Sequence, residues 1–207
     1  MAKKKKETKE VLSPAEEIEL ATKRAKKDLF LEYVPFLILL FFILIIRWFI
    51  ASPISVSGSS MQPTLDDSDY VLLYKLKMRN KGLSRFDIVV INNQEGTIIK
   101  RVIGLPGETL KYEVYEENGN LVNALYIDGK KVEENFVADE NKNHTCSYPN
   151  KLCSEGVTLG EDEYFVMGDN RAVSNDSRVF GAVNKKEIKG IAEIRLFPFS
   201  RFGKIDK

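Results

Sequence analysis

The sequence predicts a mainly β protein in which one all-β domain follows a single N-terminal transmembrane helix. Three observations predict it: an apolar run near the N-terminus, a later series of short Val-, Ile- and Tyr-rich runs, and Gly, Asn, Asp or Pro at the borders of those runs. The 207 residues allow one domain of ordinary size beyond such a helix. With 31 Lys plus Arg against 30 Asp plus Glu, no strongly basic surface for nucleic acid is expected.

Residues 1–32 form a Lys-rich tail, with Lys3 to Lys6 followed by Lys23, Arg24, Lys26 and Lys27. Within it, Ser13 as N-cap, Pro14 at the first helical position and Glu16 and Glu17 in the first turn predict a helix to about Leu31. Val34 to Ile46 then carries no polar side chain, and the apolar stretch resumes after Arg47. About 20 helical residues cross a hydrocarbon core. Residues 33–54 are therefore expected to be the anchor, with Arg47 snorkelling near one end and Tyr33 and Trp48 as interfacial aromatics. The preceding positive charges place the N-terminus in the cytoplasm and residues 55–207 outside. A cleaved signal is the alternative, but Phe49-Ile50-Ala51 lacks a small-x-small site, so an uncleaved single-pass anchor in the cell membrane is expected.

Strands are expected at Tyr70–Lys75, Ile88–Asn92, Thr97–Ile103, Leu110–Tyr115, Ala124–Ile127, Tyr164–Met167 and Ile191–Phe197. Asp128-Gly129 is a hairpin turn, and Leu105-Pro106-Gly107-Glu108 closes the strand before it. Residues 116–123 and 139–162 are polar and Gly- and Asn-containing, reading as loops or an inserted hairpin. Cys146 and Cys153 lie in the second of these, and outside the cytoplasm they can close a small disulfide loop. Free thiols, or a weak metal site with His144, are the alternatives.

His144 is the only histidine, and it sits in that polar loop. A Ser-His-Asp or Cys-His arrangement would depend on it, so a hydrolase here needs another base. The Ser- and Gly-rich turn Ser57 to Leu65 offers a nucleophile. Lys100, inside the apolar run Thr97 to Ile103, offers an amine whose burial would favour the neutral form. Alternation along a half-buried strand could equally point Lys100 outward and leave Ser60 capping a turn.

Four ordered segments bear on that choice: Ser59-Ser60-Met61-Gln62-Pro63-Thr64-Leu65, Arg85-Phe86-Asp87-Ile88-Val89-Val90, Lys100 to Glu108, and Gly168-Asp169-Asn170-Arg171-Ala172-Val173-Ser174-Asn175-Asp176-Ser177-Arg178. Together with the N-terminal anchor they resemble the type I signal peptidase family, in its Gram-positive-like form. The resemblance implies an extracytoplasmic signal-peptidase-type catalytic β-domain at 55–207. It implies a serine endopeptidase that removes signal peptides after small residues at the first and third positions before the cut. Ser60 would be the nucleophile, its own N–H an oxyanion donor, Lys100 the general base and Ser174 the hydroxyl orienting the Lys100 amine. Asp176 with Arg178, and Arg101 with Asp169, would be supporting pairs. Ile54, Val56, Met61, Leu65, Val90, Ile98 and Ile99 would form the substrate pockets. No metal or cofactor is implied. The partners would be signal peptides of exported preproteins, the lipid bilayer and, by proximity, the secretion translocase.

Two positions depart from the family pattern: Gly58, where one branch supplies a hydroxyl to the oxyanion hole, and Phe86, where Gly is common. The rival reading is a catalytically silent, membrane-tethered peptide-binding β-domain on the same scaffold.

Overall fold

The computed structural model describes residues 13–45, 47, 51–75, 82–93, 96–117, 119–146 and 151–206. The chain divides into two compact units, Met1–Ile46 and Arg47–Lys207.

The described part of the first unit is Ser13 followed by one helix, α1 (Pro14–Ile45), of 32 residues. Ser13 caps it in both directions: Glu16 N–H donates to Ser13 Oγ, and Ser13 N–H donates to Glu16 Oε2 at 2.8 Å. The helix does not stop at Leu31 as expected, because no Gly or Asn offers a left-handed cap there, and it continues through Pro35. At 1.5 Å per residue it is roughly 48 Å long, more than a hydrocarbon core requires. Among the described residues it is the one helix long and apolar enough to cross a membrane. The far end of the expected span is corrected: Ala51–Ile54 belong to a strand, while residues 46 and 48–50 lie outside the described residues. Pro53, which cannot donate to a ladder, suits the edge position that this strand occupies.

The second unit is built on two sheets. The larger runs β1 (Ala51–Ser55), β2 (Tyr70–Tyr74), β11 (Ile188–Phe197), β3 (Ile88–Asn93), β4 (Gly96–Gly104), β9 (Glu163–Met167) and β10 (Val183–Asn184), with β12 (Gly203–Lys204) pairing β11. The smaller runs β7 (Lys130–Val132), β6 (Asn120–Ile127), β5 (Thr109–Glu117) and β8 (Val157–Thr158). All pairings are antiparallel.

Ile88, Val89, Val90 and Ile91 are all buried because β3 lies at the sheet centre with a core on each face. Ile88 and Val90 enter one apolar cluster, Val89 and Ile91 another. This explains a continuous apolar run where a half-buried strand would alternate. At the hairpin turn, Asp128 and Gly129 both take positive φ, 48° and 75°, as a two-residue turn of this hand demands.

Residues 116–123 prove to be the hairpin joining β5 to β6. Residues 139–162 are more than a polar insert: β8 completes the small sheet, and Leu152 and Leu159 sit in its core. Cys146 and Cys153 are joined by a disulfide. Closing so short a loop restricts the unfolded chain by on the order of 2 kcal/mol. We expect reductant to lower the unfolding midpoint of the second unit by about 4–8 °C, read by thermal melts with and without reducing agent.

Candidate active site

Met61 and Leu65, four residues apart and 1% and 0% exposed, pull one side of a tight turn into the core. Leu65 N–H closes that turn on the Met61 carbonyl at 2.9 Å, and Gln62 N–H closes the preceding one on Ser59 at 3.1 Å. Ser60, between these anchors, is left at the wall of a cleft of about 690 Å³. Its carbonyl accepts from Asn170 N–H at 3.1 Å, which ties the turn to the Gly168–Arg178 segment. Its own N–H has no acceptor among the described residues.

Lys100 is 4% exposed, and its Nζ lies 2.7 Å from Ser60 Oγ in a hydrogen bond. Burial pushes the ammonium pKa below the ordinary lysine range. The Asp176 and Asp169 carboxylates oppose that shift and the Arg178 guanidinium adds to it. An amine that sheds its proton more readily thus faces a hydroxyl at proton-transfer distance.

The Gly168–Arg178 segment closes one side of the site. A Cβ on Gly168 would run into the Ser60 carbonyl and the Ser174 side chain, so only glycine permits this approach. Gly168 N–H donates to Asp176 Oδ2 at 3.0 Å, and Arg178 grips Asp176 through Nε at 2.8 Å and Nη2 at 3.0 Å. Burial pushes the Asp176 carboxyl up, but Arg178 and the Gly168 N–H outweigh it and hold the group below its usual value. Ser174 is 6% exposed and helps to hold Asp176 ionised, yet its Oγ has no partner in hydrogen-bond geometry and makes no bond to Lys100. The expected direct contact with the amine is therefore absent in this conformation.

Arg101 and Asp169 form a wholly buried pair, both side chains 0% exposed, with Nε and Nη2 donating at 2.8 and 2.7 Å. Thr64 Oγ1 donates to the same carboxylate and accepts from Arg101 at 3.2 Å. Arg101 also stacks on Phe136 at 4.0 Å and donates to the Phe86 carbonyl at 3.1 Å. Phe86 has φ of 68°, which accounts for a glycine preference at this position. Its ring packs edge-on against Phe136, 5.0 Å between centroids, which helps offset the strain.

The cleft walls are Ile54, Val56 and Met61 on one side and Ile98 and Ile99 on the other. Leu65 and Val90 do not line it. Both are 0% exposed and belong to the core beneath, because the turn and the central strand bury them completely. Ser57, Ser59, Thr97, Val173 and Asn175 line the cleft without having been singled out from sequence. Gly58, at φ 88°, is another lining residue, but its N–H is taken by Asp67 Oδ1 at 2.8 Å and cannot serve an oxyanion. The edges also matter. β9 pairs β4 only from Arg101 onward, and β1 pairs β2 on one side, so Gly96–Lys100 and β1 each present an unpaired backbone edge among the described residues.

A second missed group surrounds Arg171, which is 1% exposed. It donates to the Gly168 carbonyl, the Tyr112 hydroxyl and Thr145 Oγ1 at 2.9 to 3.0 Å, and pairs with Glu134. Burial disfavours its charge, but Glu134 outweighs that and raises its pKa. Tyr112 is pushed well above the phenol range by burial. The small sheet and the residue just before the disulfide thus reach the Gly168 loop through one guanidinium.

The chain is similar in sequence to known proteins. The family described as "Signal peptidase, peptidase S26" matches residues 30–197. A signal peptidase I of Bacillus licheniformis is 37% identical over 187 residues, covering 87% of this chain and 96% of that protein. Signal peptidase IB of Staphylococcus aureus is 34% identical over 189 residues, covering 86% and 94%. A crystal structure of a signal peptidase I from Enterococcus faecalis is 32% identical, with TM-score 0.41, covering 54% of this chain and 97% of that one.

Proposed function

The chain belongs to the signal peptidase family, peptidase S26, and from that premise we propose that it removes signal peptides by a Ser60–Lys100 dyad. The observation that carries the reading is the 2.7 Å contact between a buried lysine amine and a serine hydroxyl at the wall of an apolar cleft.

Neutral Lys100 Nζ takes the Ser60 proton as Oγ attacks the scissile carbonyl. The oxyanion forms against the Ser60 N–H, and a preorganised donor there is worth about 2.7–4 kcal/mol. As the tetrahedral species collapses, Nζ–H passes its proton to the leaving amine and an acyl-enzyme remains. Water, deprotonated by the same amine, then attacks the ester, and the amine returns that proton to Ser60 Oγ as the signal peptide leaves with a new C-terminal carboxyl group. Asp176 with Arg178, and Arg101 with Asp169, hold the surrounding loops. Ser174, buried beside them, is assigned to orienting the amine.

Substrate enters extended, its backbone pairing with the free edges of β1 and of Gly96–Lys100, and alternate side chains face Ile54, Val56, Met61, Ile98 and Ile99. Small residues fit the first and third positions before the cut, and larger ones clash. The N-terminal helix anchors the protein in the cell membrane with its Lys-rich end in the cytoplasm and the β-domain outside, near the translocase that delivers preproteins.

The test is cleavage of a detergent-solubilised preprotein with Ala at both positions, by the intact protein and by Lys100→Ala. Cleavage at that bond, lost in the variant, is expected; a folded intact protein that cuts nothing would favour the silent binding domain. We also expect Ile99→Ala to deepen a pocket and raise kcat/KM for a Val-bearing substrate relative to the Ala-bearing one by roughly tenfold. An unchanged ratio would remove Ile99 from the specificity wall.

A further inference from the structure

We propose that Arg195 is a positioning residue for this reaction, holding the nucleophile turn from its far end so that Ser60 stays within reach of Lys100; the inference rests on the dyad reading above.

Arg195 lies on β11, far from the four sequence segments, and register shifts fall on both sides of it, between Ala192 and Ile194 and between Arg195 and Phe197. Such irregularities re-aim a side chain out of the regular ladder. Here the side chain is aimed at the turn. Its Nη2 donates to the Thr64 carbonyl, and its Nε lies 3.0 Å from Asp69 Oδ2. Asp69 is 1% exposed and is itself a junction. Its Oδ2 accepts from Asp66 N–H at 3.1 Å, and its carbonyl accepts from Val56 N–H at 2.7 Å.

Residues 56 and 69, the two ends of the loop carrying Ser60, are therefore joined; Arg195 is ion-paired with that junction, its Nε outside hydrogen-bond geometry, and donates a hydrogen bond to the loop's middle. Thr64 is gripped from two directions, its hydroxyl by Asp169 and Arg101 and its carbonyl by Arg195. A guanidinium sets its charge beside the Asp69 carboxylate while donating to the Thr64 carbonyl; a lysine ammonium can serve only one of them well.

Without the second grip, the Met61–Leu65 turn can lift, lengthening the contact between Ser60 and Lys100 and admitting water to the amine. Misplacement by about 1 Å can reduce rate 10²-fold. Ile98 and Ile99 are on β4 and are untouched, so substrate capture should suffer less. The charged groups facing Lys100 are Asp176, Asp169 and Arg178. None is altered by substitution at 195, so a displaced pH limb would report hydration of the amine.

The experiment uses the full chain in detergent with the preprotein substrate, measuring kcat and KM across pH, and thermal midpoints, for wild type, Arg195→Met, Arg195→Lys and Lys100→Ala. For Arg195→Met we expect kcat to fall by about 10- to 100-fold, KM to stay within about threefold, and the ascending limb of kcat to move up by about half a pH unit or more. Arg195→Lys should fall between Met and wild type in both kcat and limb. Unchanged kcat, or a fall that merely follows the folded fraction with the limb unmoved, would overturn the proposal. Should Arg195→Met not fold, Arg195→Lys decides by the same criteria. Residual cleavage by Lys100→Ala would instead overturn the dyad, a separate result from either.

Discussion

Replacing Lys100 by methionine should lower kcat by on the order of 10⁴-fold while leaving the protein folded and able to bind substrate. Methionine fills nearly the same volume but offers no basic nitrogen, so Ser60 loses its proton acceptor in both half-reactions. Stability should not fall with activity. A lysine whose pKa is depressed by burial is one whose charge the fold disfavours, and an apolar replacement at neutral pH is neutral or stabilising. In the parent enzyme kcat should rise with pH as the amine deprotonates, with the limb below the ordinary lysine value of about 10.4. Single-turnover cleavage of a preprotein across pH, paired with thermal melts, checks both halves. Retained turnover in Lys100→Met would discard Lys100 as the base; lost turnover with a collapsed fold would show that its role is structural.

The largest stability effect should come from Asp169→Asn. Both members of the Arg101–Asp169 pair are 0% exposed, so the substitution leaves a guanidinium without its counter-charge in a place water does not reach. Breaking such a pair from one side costs about 3–5 kcal/mol, on the order of 10 °C in the midpoint of a domain this size. Removing both charges is a different experiment. Arg101→Met combined with Asp169→Leu leaves no orphaned ion and should recover much of the lost midpoint. Activity need not return with it, because the Thr64 hydroxyl loses both partners. Calorimetry on the two variants decides: a midpoint within about 2 °C of the parent for Asp169→Asn would mean that solvent screens the site after all.

Local pattern gave the principal strands, which follow from β-branched runs between turn residues, but left Ser60 and Lys100 open to an ordinary turn and an outward strand lysine; the four ordered segments that resemble the signal peptidase family are what paired them. What escaped shares a physical cause. Leu65 and Val90 look like pocket residues until the depth of the turn and of the central strand is known, because an apolar side chain reads the same whether it walls a cleft or lies beneath one. Ala51–Ile54 complete the length that a span requires, yet they pair with β2 as a strand. Arg195, Glu134 and Thr145 act on the site through contacts 26 to 131 residues away in the chain. Ion pairs and forked hydrogen bonds at that separation leave no spacing signal in the sequence. Phe86 was visible as an oddity, but only its positive φ explains it.

The gap between the free edge of β1 and that of Gly96–Lys100 also bears on colloidal behaviour. Two exposed ladders side by side are what drives β proteins to stack into fibres, and a protease working on extended chains cannot seal them. Gly96 and Pro53 weaken pairing at the rim, the one by flexibility and the other by withholding a donor. Both edges line one cleft, so a strand from a neighbouring copy would have to enter that cleft to pair with either.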